Sequence, residues 1–195
     1  MRYAAIDIGS NAIRLLIKDI DESNADDLQP ERIAYYRVPL RLGGDVFERG
    51  KLSKAKTKSL VKVMVAFRNL IDVQEVAACR AVATSALRSA RNRDEVIEAV
   101  LSKTGIEIVC LSGEEEAGLI FQNFDDAGRK FNRDLLCIDV GGGSTELSIV
   151  RENERIALKS FKLGTVRMLK GTTPEGEWMR IQEFLRQHRG DKPWL

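Results

Sequence analysis

The chain has 195 residues, enough to bury a core and to form one or two domains. Its 31 Lys and Arg residues nearly balance 29 Asp and Glu, giving a formal net charge of +2, so composition singles out neither a nucleic acid polymer nor an anionic membrane as partner. No apolar run approaches a membrane-spanning helix, no signal-peptide pattern precedes the first strand, and three separated cysteines without C-x-x-C spacing (Cys79, Cys110, Cys137) read as buried structural thiols in a reducing cytoplasm.

In chain order, Ala4-Ala5-Ile6-Asp7-Ile8 is an apolar strand that carries an Asp to the turn Gly9-Ser10-Asn11, and Ile13, Leu15 and Ile17 alternate along a returning strand. Asp21 to Pro30 is polar and acidic, a surface loop. Arg32 to Leu42 alternates as a further strand, and Gly43-Gly44-Asp45 and Gly50 punctuate a loop behind it. Ser53 caps a helix to about Asp72 whose core face is Leu60, Met64, Phe67 and Ile71. Its lysines, Lys54, Lys56, Lys58 and Lys62, make either a solvated face or a track for phosphates. Val76 to Ala83 reads as a strand, Thr84 to Arg88 as the turn out of it, and Asn92 with Glu95 as a capping box for a helix burying Val96, Ile97, Val100 and Leu101 and stopped by Gly105. Ile106 to Leu111 is the next strand. Ser112-Gly113-Glu114-Glu115 is a second capping box, opening a helix that buries Ala117, Ile120, Phe121 and Phe124.

Asp125 to Asn132 is charged and contains Gly128, and it reads as a linker dividing residues 1–127 from residues 128–195. Beyond it, Leu135 to Val140 is a buried apolar strand that again delivers an Asp, Asp139, to a glycine turn, Gly141-Gly142-Gly143-Ser144-Thr145, before Leu147 and Ile149 alternate along the next strand. A strand at Arg155 to Leu163, a turn through Gly164 and a helix from Pro174 to His188 follow. Alternating strands and helices make an α/β layered fold. Three strands and one helix are thin for a second domain, which is expected to be incomplete.

The chemistry lies in the repeat. Each Asp-bearing strand ends at a turn whose glycines let backbone N–H groups converge on phosphate oxygens, or alternatively only satisfy hairpin geometry. A Rossmann loop fits neither copy, because strand-period residues rather than a helix follow the glycines. A single histidine, His188, in a polar tail argues against a histidine-centred site. The arrangement suggests phosphoryl chemistry by positioning and charge neutralisation, with a divalent ion on Asp139 and Asp7. Glu115 is taken by the cap. Glu116, on the edge of the apolar stripe, is either a solvated first-turn acid or a base that deprotonates water. Arg88 is either a fork for phosphate oxygens or a surface ion-pair partner.

Four ordered motifs, Ala5 to Asn11, Ala83 to Arg88, Leu111 to Ala117 and Ile138 to Glu146, together with Leu163-Gly164-Thr165-Val166-Arg167, resemble the exopolyphosphatase / guanosine pentaphosphate phosphohydrolase (Ppx/GppA) family from residue 3 to about 170. The resemblance implies an actin-like (ASKHA) fold of two ribonuclease H-like domains with the active site in the cleft between them. It also implies magnesium-dependent release of the terminal phosphate from linear polyphosphate, guanosine pentaphosphate or both. It makes Glu116 the catalytic base and Asp139 the support of magnesium and water. Asp7, Ser10 and Asn11 become the first phosphate loop, Gly141, Gly142, Gly143, Ser144 and Thr145 the second, and Arg88 the phosphate-binding arginine. Family members are often homodimers, and no exposed apolar stripe decides that here. Gly118 stands where the family commonly has Arg, which removes a cation beside the active-site helix and bears on chain-length preference. The competing reading is a non-catalytic module that senses polyphosphate or guanosine tetra- or pentaphosphate. A nucleotide-dependent kinase or ATPase shares only the two Asp-Gly hairpins.

Overall fold

The computed structural model describes residues 1–21, 30–125 and 134–190, without the side chains of 123–125. The expected loop at Asp21 to Pro30 and the expected linker therefore fall mostly outside the described residues. The chain divides into two compact units, Met1–Cys110 and Leu111–Leu195. The sequence-based boundary at 127/128 follows the linker instead, and the two divisions differ in where they put one helix, Gly113–Asp125.

The first unit is built on a five-stranded sheet. Strands β1 (Arg2–Ile8), β2 (Ile13–Asp19) and β3 (Glu31–Val38) form an antiparallel meander, and β4 (Ala78–Ala83) and β5 (Ile108–Cys110) extend it in parallel, in the order β3-β2-β1-β4-β5. Alternation decides which face is buried: Ala4, Ile6, Ile8, Ile13, Leu15, Ile17, Ala81 and Ala83 are inside. With them in the core are Leu60, Met64, Phe67 and Ile71 of α2 (Lys54–Val73), the four residues that helical spacing singled out. Ser53 caps α2, accepting the Lys56 N–H at 3.3 Å.

Three local readings change. Leu42–Arg49 is a helix, α1, although Gly43 and Gly44 suggested a loop. Gly43 is there because the helix start is pressed onto the first turn: a Cβ at 43 would stand 3.1 Å from the Ser10 Cβ and 2.8 Å from the Phe47 ring. Thr84 to Arg88 continues as a short helix, α3 (Ser85–Ser89), rather than a turn. Asn92 precedes α4 (Arg93–Thr104) but does not cap it. Its carboxamide is spent on Leu52, accepting that residue's N–H at 3.0 Å and donating to its carbonyl at 3.1 Å. In α4, Val96 and Val100 are buried, whereas Leu101 is exposed.

The second unit has a three-stranded antiparallel sheet, β6 (Leu135–Val140), β7 (Thr145–Arg151) and β8 (Glu154–Phe161), in that order. Helix α5 (Gly113–Asp125) packs on β7 and β8. Its capping box forms as the sequence predicts: the Ser112 N–H donates to Glu115 Oε2 at 2.7 Å and the Glu115 N–H to Ser112 Oγ at 3.1 Å. On the other face Leu147, Ile149, Phe161 and Leu163 form a core with Phe184 of α7 (Glu177–Gln187), which begins three residues later than Pro174 suggests. Helices on both sides explain why β7 is buried along nearly its whole length. Strand β6 is the correction here. Read as buried, it leaves Ile138 58% and Val140 55% exposed, because among the described residues only β7 pairs with it, whereas β1 in the first unit has a neighbour on either side.

Candidate functional site

The two Asp-bearing hairpins are built on one plan. In the first, the Gly9 N–H closes the turn on the Ala12 carbonyl at 3.1 Å. The outward carbonyls of Asn11 and Ser10 are then taken by the N–H groups of Arg41 and Gly43, at 2.8 Å each, at the start of α1. In the second, the Gly141 N–H closes on the Ser144 carbonyl at 2.9 Å, and the carbonyls of Gly141 and Gly142 accept from Thr165 at 3.0 Å and Val166 at 2.8 Å, at the start of α6 (Thr165–Leu169). In both, a following helix removes the turn's acceptors and leaves its donors. Among the described residues no acceptor pairs with the N–H groups of Gly142, Gly143 and Ser144, although Gly143 and Ser144 are buried. Buried backbone donors are almost always paired, so unpaired ones on a glycine turn are candidate contacts for an anion.

The second turn is held tightly. Arg167 Nε donates to the Gly143 carbonyl at 2.7 Å and Thr145 Oγ1 to the Leu163 carbonyl at 2.6 Å. Gly164 lies so close that a Cβ there would stand 2.5 Å from the Gly143 nitrogen. In the first turn Ser10 is buried and its hydroxyl meets that of Ser85, the first residue of α3, at 2.8 Å. Arg88 is on the same short helix, half-buried, its N–H bonded to the Thr84 carbonyl at 3.0 Å.

The two aspartates differ in what stands opposite them. Residues directly across an antiparallel ladder point to the same face. Asp7 is opposite Arg14, whose Nη1 donates to Asp7 Oδ2. Partial burial works against the Arg14 charge, yet the bond to Asp7 and the attraction of its carboxylate outweigh that and hold the guanidinium above its usual pKa. Asp139 is opposite Glu146, a buried carboxylate, and Glu146 is opposite Ser160, which donates to Glu146 Oε1 at 2.7 Å. The first unit thus presents a neutralised pair and the second a row of two acids. Of the residue pair named from sequence for a metal, Asp139 keeps a second carboxylate beside it while Asp7 already has a cation. Glu146 is the residue that sequence reasoning passed over, though the turn length that pairs Val140 with Thr145 also pairs Asp139 with Glu146. Among the described residues no group of three or more His, Cys, Asp or Glu side chains is placed to hold a metal ion. Two carboxylates completed by waters and substrate oxygens fit the way magnesium is bound.

The first turn of α5 is seated on this row: a Cβ at Gly113 would overlap the Ser160 side chain, 2.4 Å from its Cβ. Three residues on, in the same turn, is the half-buried Glu116, whose N–H is bonded to the Ser112 carbonyl at 3.0 Å. Gly118 does not leave its surroundings without a cation, since Arg155 Nη1 is 3.9 Å from where its Cβ would stand and the Arg155 guanidinium lies 5.0 Å from the centre of the Phe121 ring. The three cysteines are free and half-buried, and burial raises each thiol pKa, so none is poised as a nucleophile.

The Ppx/GppA phosphatase family model matches residues 19–187. The chain belongs to the Ppx/GppA phosphatase family. It is 33% identical over 181 residues to exopolyphosphatase 1 of Mycobacterium tuberculosis, covering 90% of this chain and 50% of that protein. It is 32% identical over 169 residues to the guanosine-5'-triphosphate,3'-diphosphate pyrophosphatase of Vibrio vulnificus, covering 86% of this chain and 33% of that one. The crystal structure of an exopolyphosphatase from Cytophaga hutchinsonii superposes with a TM-score of 0.80 at 26% identity, over 96% of this chain and 60% of that chain. The α/β fold is that of this actin-like family, and the chain spans half or less of the length of these two curated relatives. Among the described residues no helix is long and apolar enough to cross a membrane.

Proposed function

We propose that this Ppx/GppA chain acts in the hydrolysis of the terminal phosphate of linear polyphosphate or guanosine pentaphosphate. The observation that carries the reading is the Asp139–Glu146–Ser160 row with the first turn of α5 seated on it, beside a turn in which the N–H groups of Gly142, Gly143 and Ser144 have no acceptor among the described residues. Glu116 orients a water and takes its proton as the water oxygen attacks the terminal phosphorus. The bond from phosphorus to the bridging oxygen breaks, inorganic phosphate leaves, and the shortened substrate keeps the bridging oxygen. The N–H groups of Gly142, Gly143 and Ser144 stabilise the charge on the transferred group, with Thr145 fixing the turn. Ser10, Asn11 and Arg88 hold phosphate oxygens in the first unit, where Arg14 keeps Asp7 in place. Asp139 and Glu146 would hold a divalent cation, with magnesium fitting their number and type, and that cation would neutralise charge on the phosphates. The activity is expected to belong to a cytoplasmic protein in the stringent response, consistent with a guanosine pentaphosphate substrate.

The test is the magnesium dependence of phosphate release. Asp139→Asn and Glu146→Gln should each raise the magnesium concentration needed for half-maximal release by roughly tenfold or more, as expected for loss of a charged ligand from a two-carboxylate site. An unchanged magnesium dependence in both variants would refute the assignment.

A further inference from the structure

The lysine face of α2 has a use that the phosphate turns do not absorb. In the first unit α2 and α4 run beside each other and leave a cavity of about 440 Å³ between them, within the size range of small-molecule pockets, roughly 300–1,000 Å³. Its floor is apolar: Leu52 and Val96 are buried, and Val61 and Ala99 half-buried. Its rim is cationic, with Lys54 and Lys58 one turn apart on α2 and Lys103 on α4, all exposed and, among the described residues, none in an ion pair. Glu95 also lines the cavity, yet neither α2 lysine bonds to it. The hydroxyls on the rim are already spent, Thr57 Oγ1 donating to the Ser53 carbonyl at 3.1 Å and Ser102 Oγ to the Ala99 carbonyl at 3.4 Å. At one end of the cavity two hydrogen bonds between Asn92 and Leu52 tie the start of α2 to the start of α4.

Three like charges around one hollow repel one another, and an anion relieves that repulsion. An apolar floor adds a requirement that a bare phosphate chain does not meet. We propose that the α2–α4 cavity binds an organic phosphate of nucleoside monophosphate size, its flat base on Leu52, Val61, Val96 and Ala99 and its phosphate on the lysines. Glu95 stands at the wall as an acceptor for an amino group of the base. This site shares no residue with either phosphate turn, and it does not depend on the phosphohydrolase reading.

The experiment is titration calorimetry of the whole chain with AMP and GMP, alongside adenosine and inorganic phosphate. Both nucleotides should bind, with adenosine and phosphate each at least about tenfold weaker, because each keeps only half of the recognition. The double variant Lys58→Glu, Lys103→Glu changes exposed side chains, so its melting temperature should match wild type while nucleotide binding falls at least about tenfold. Absence of nucleotide binding to the wild type, equal binding of inorganic phosphate, or full binding by the folded double variant would each overturn the proposal. Lys62→Glu, outside the cavity, should leave binding unchanged.

Discussion

Replacing Gly164 by Ala tests how tightly the second turn is held. The backbone there, φ −154° and ψ 160°, is extended and open to any residue, so the cost is steric alone. The new methyl would stand 2.5 Å from the Gly143 nitrogen and 2.6 Å from both the carbon and the oxygen of Gly142. All three are backbone atoms that cannot rotate away, so the turn itself must move. Overpacking of this kind costs about 1–3 kcal/mol, and with three backbone contacts the upper end applies. In a unit of this size each kcal/mol lowers the melting temperature by about 4–8 °C, so about 3 kcal/mol predicts a fall of roughly 12–24 °C in the transition of the second unit. Differential scanning calorimetry measures it, and phosphate release should fall as the N–H groups of Gly142 and Gly143 lose alignment. A melt within about 3 °C of wild type would refute the close approach of Gly164 to the turn.

The opposite outcome is expected at Gly44, which sits inside α1 with open space where a Cβ would be; Gly44→Ala should stabilise by roughly 0.5–1 kcal/mol, seen as a raised denaturation midpoint. Asp134→Ala removes the acceptor for Arg151 Nε at 2.9 Å, where Arg151 also donates to the His188 carbonyl at 3.2 Å, and should cost about 1–3 kcal/mol by urea titration. Partial burial of Asp45 works against its charge, but the bond from the Ser53 N–H and the nearby Arg49 and Lys56 outweigh it and hold its pKa below the ordinary carboxylate value. A lowered folded pKa gives stability that is present above the unfolded pKa and lost as pH falls through the folded one. Asp45→Asn should therefore remove part of the wild-type loss of stability in that acid range and leave the slope near neutral pH unchanged.

Where neighbours in sequence decide the outcome, the fold was legible. Ser112 and Glu115 close their box because both partners lie within four residues, and Leu60, Met64, Phe67 and Ile71 are buried because helical spacing alone puts them on one face. The hairpins were legible for the same reason, their turns fixing the register. What escaped depends on partners far along the chain. Asn92 gave up its cap to bind Leu52, 40 residues away. Gly43 and Gly44 read as a loop because nothing near them shows that the helix start must approach Ser10. The exposure of β6 follows from which strands flank it, and composition is silent on that. At the site, both aspartates were legible as strand-end acids, but their different surroundings come from Arg14 and Glu146 on the partner strands.

Glu116 is proposed to activate water in a site that binds phosphate independently of it. The most direct measurement compares wild type with Glu116→Gln for magnesium-dependent phosphate release from polyphosphate and guanosine pentaphosphate, with substrate binding followed in parallel by titration calorimetry. Release should fall by about 10²–10⁴ with substrate affinity and melting temperature unchanged. Release at the wild-type rate from the folded variant would contradict it.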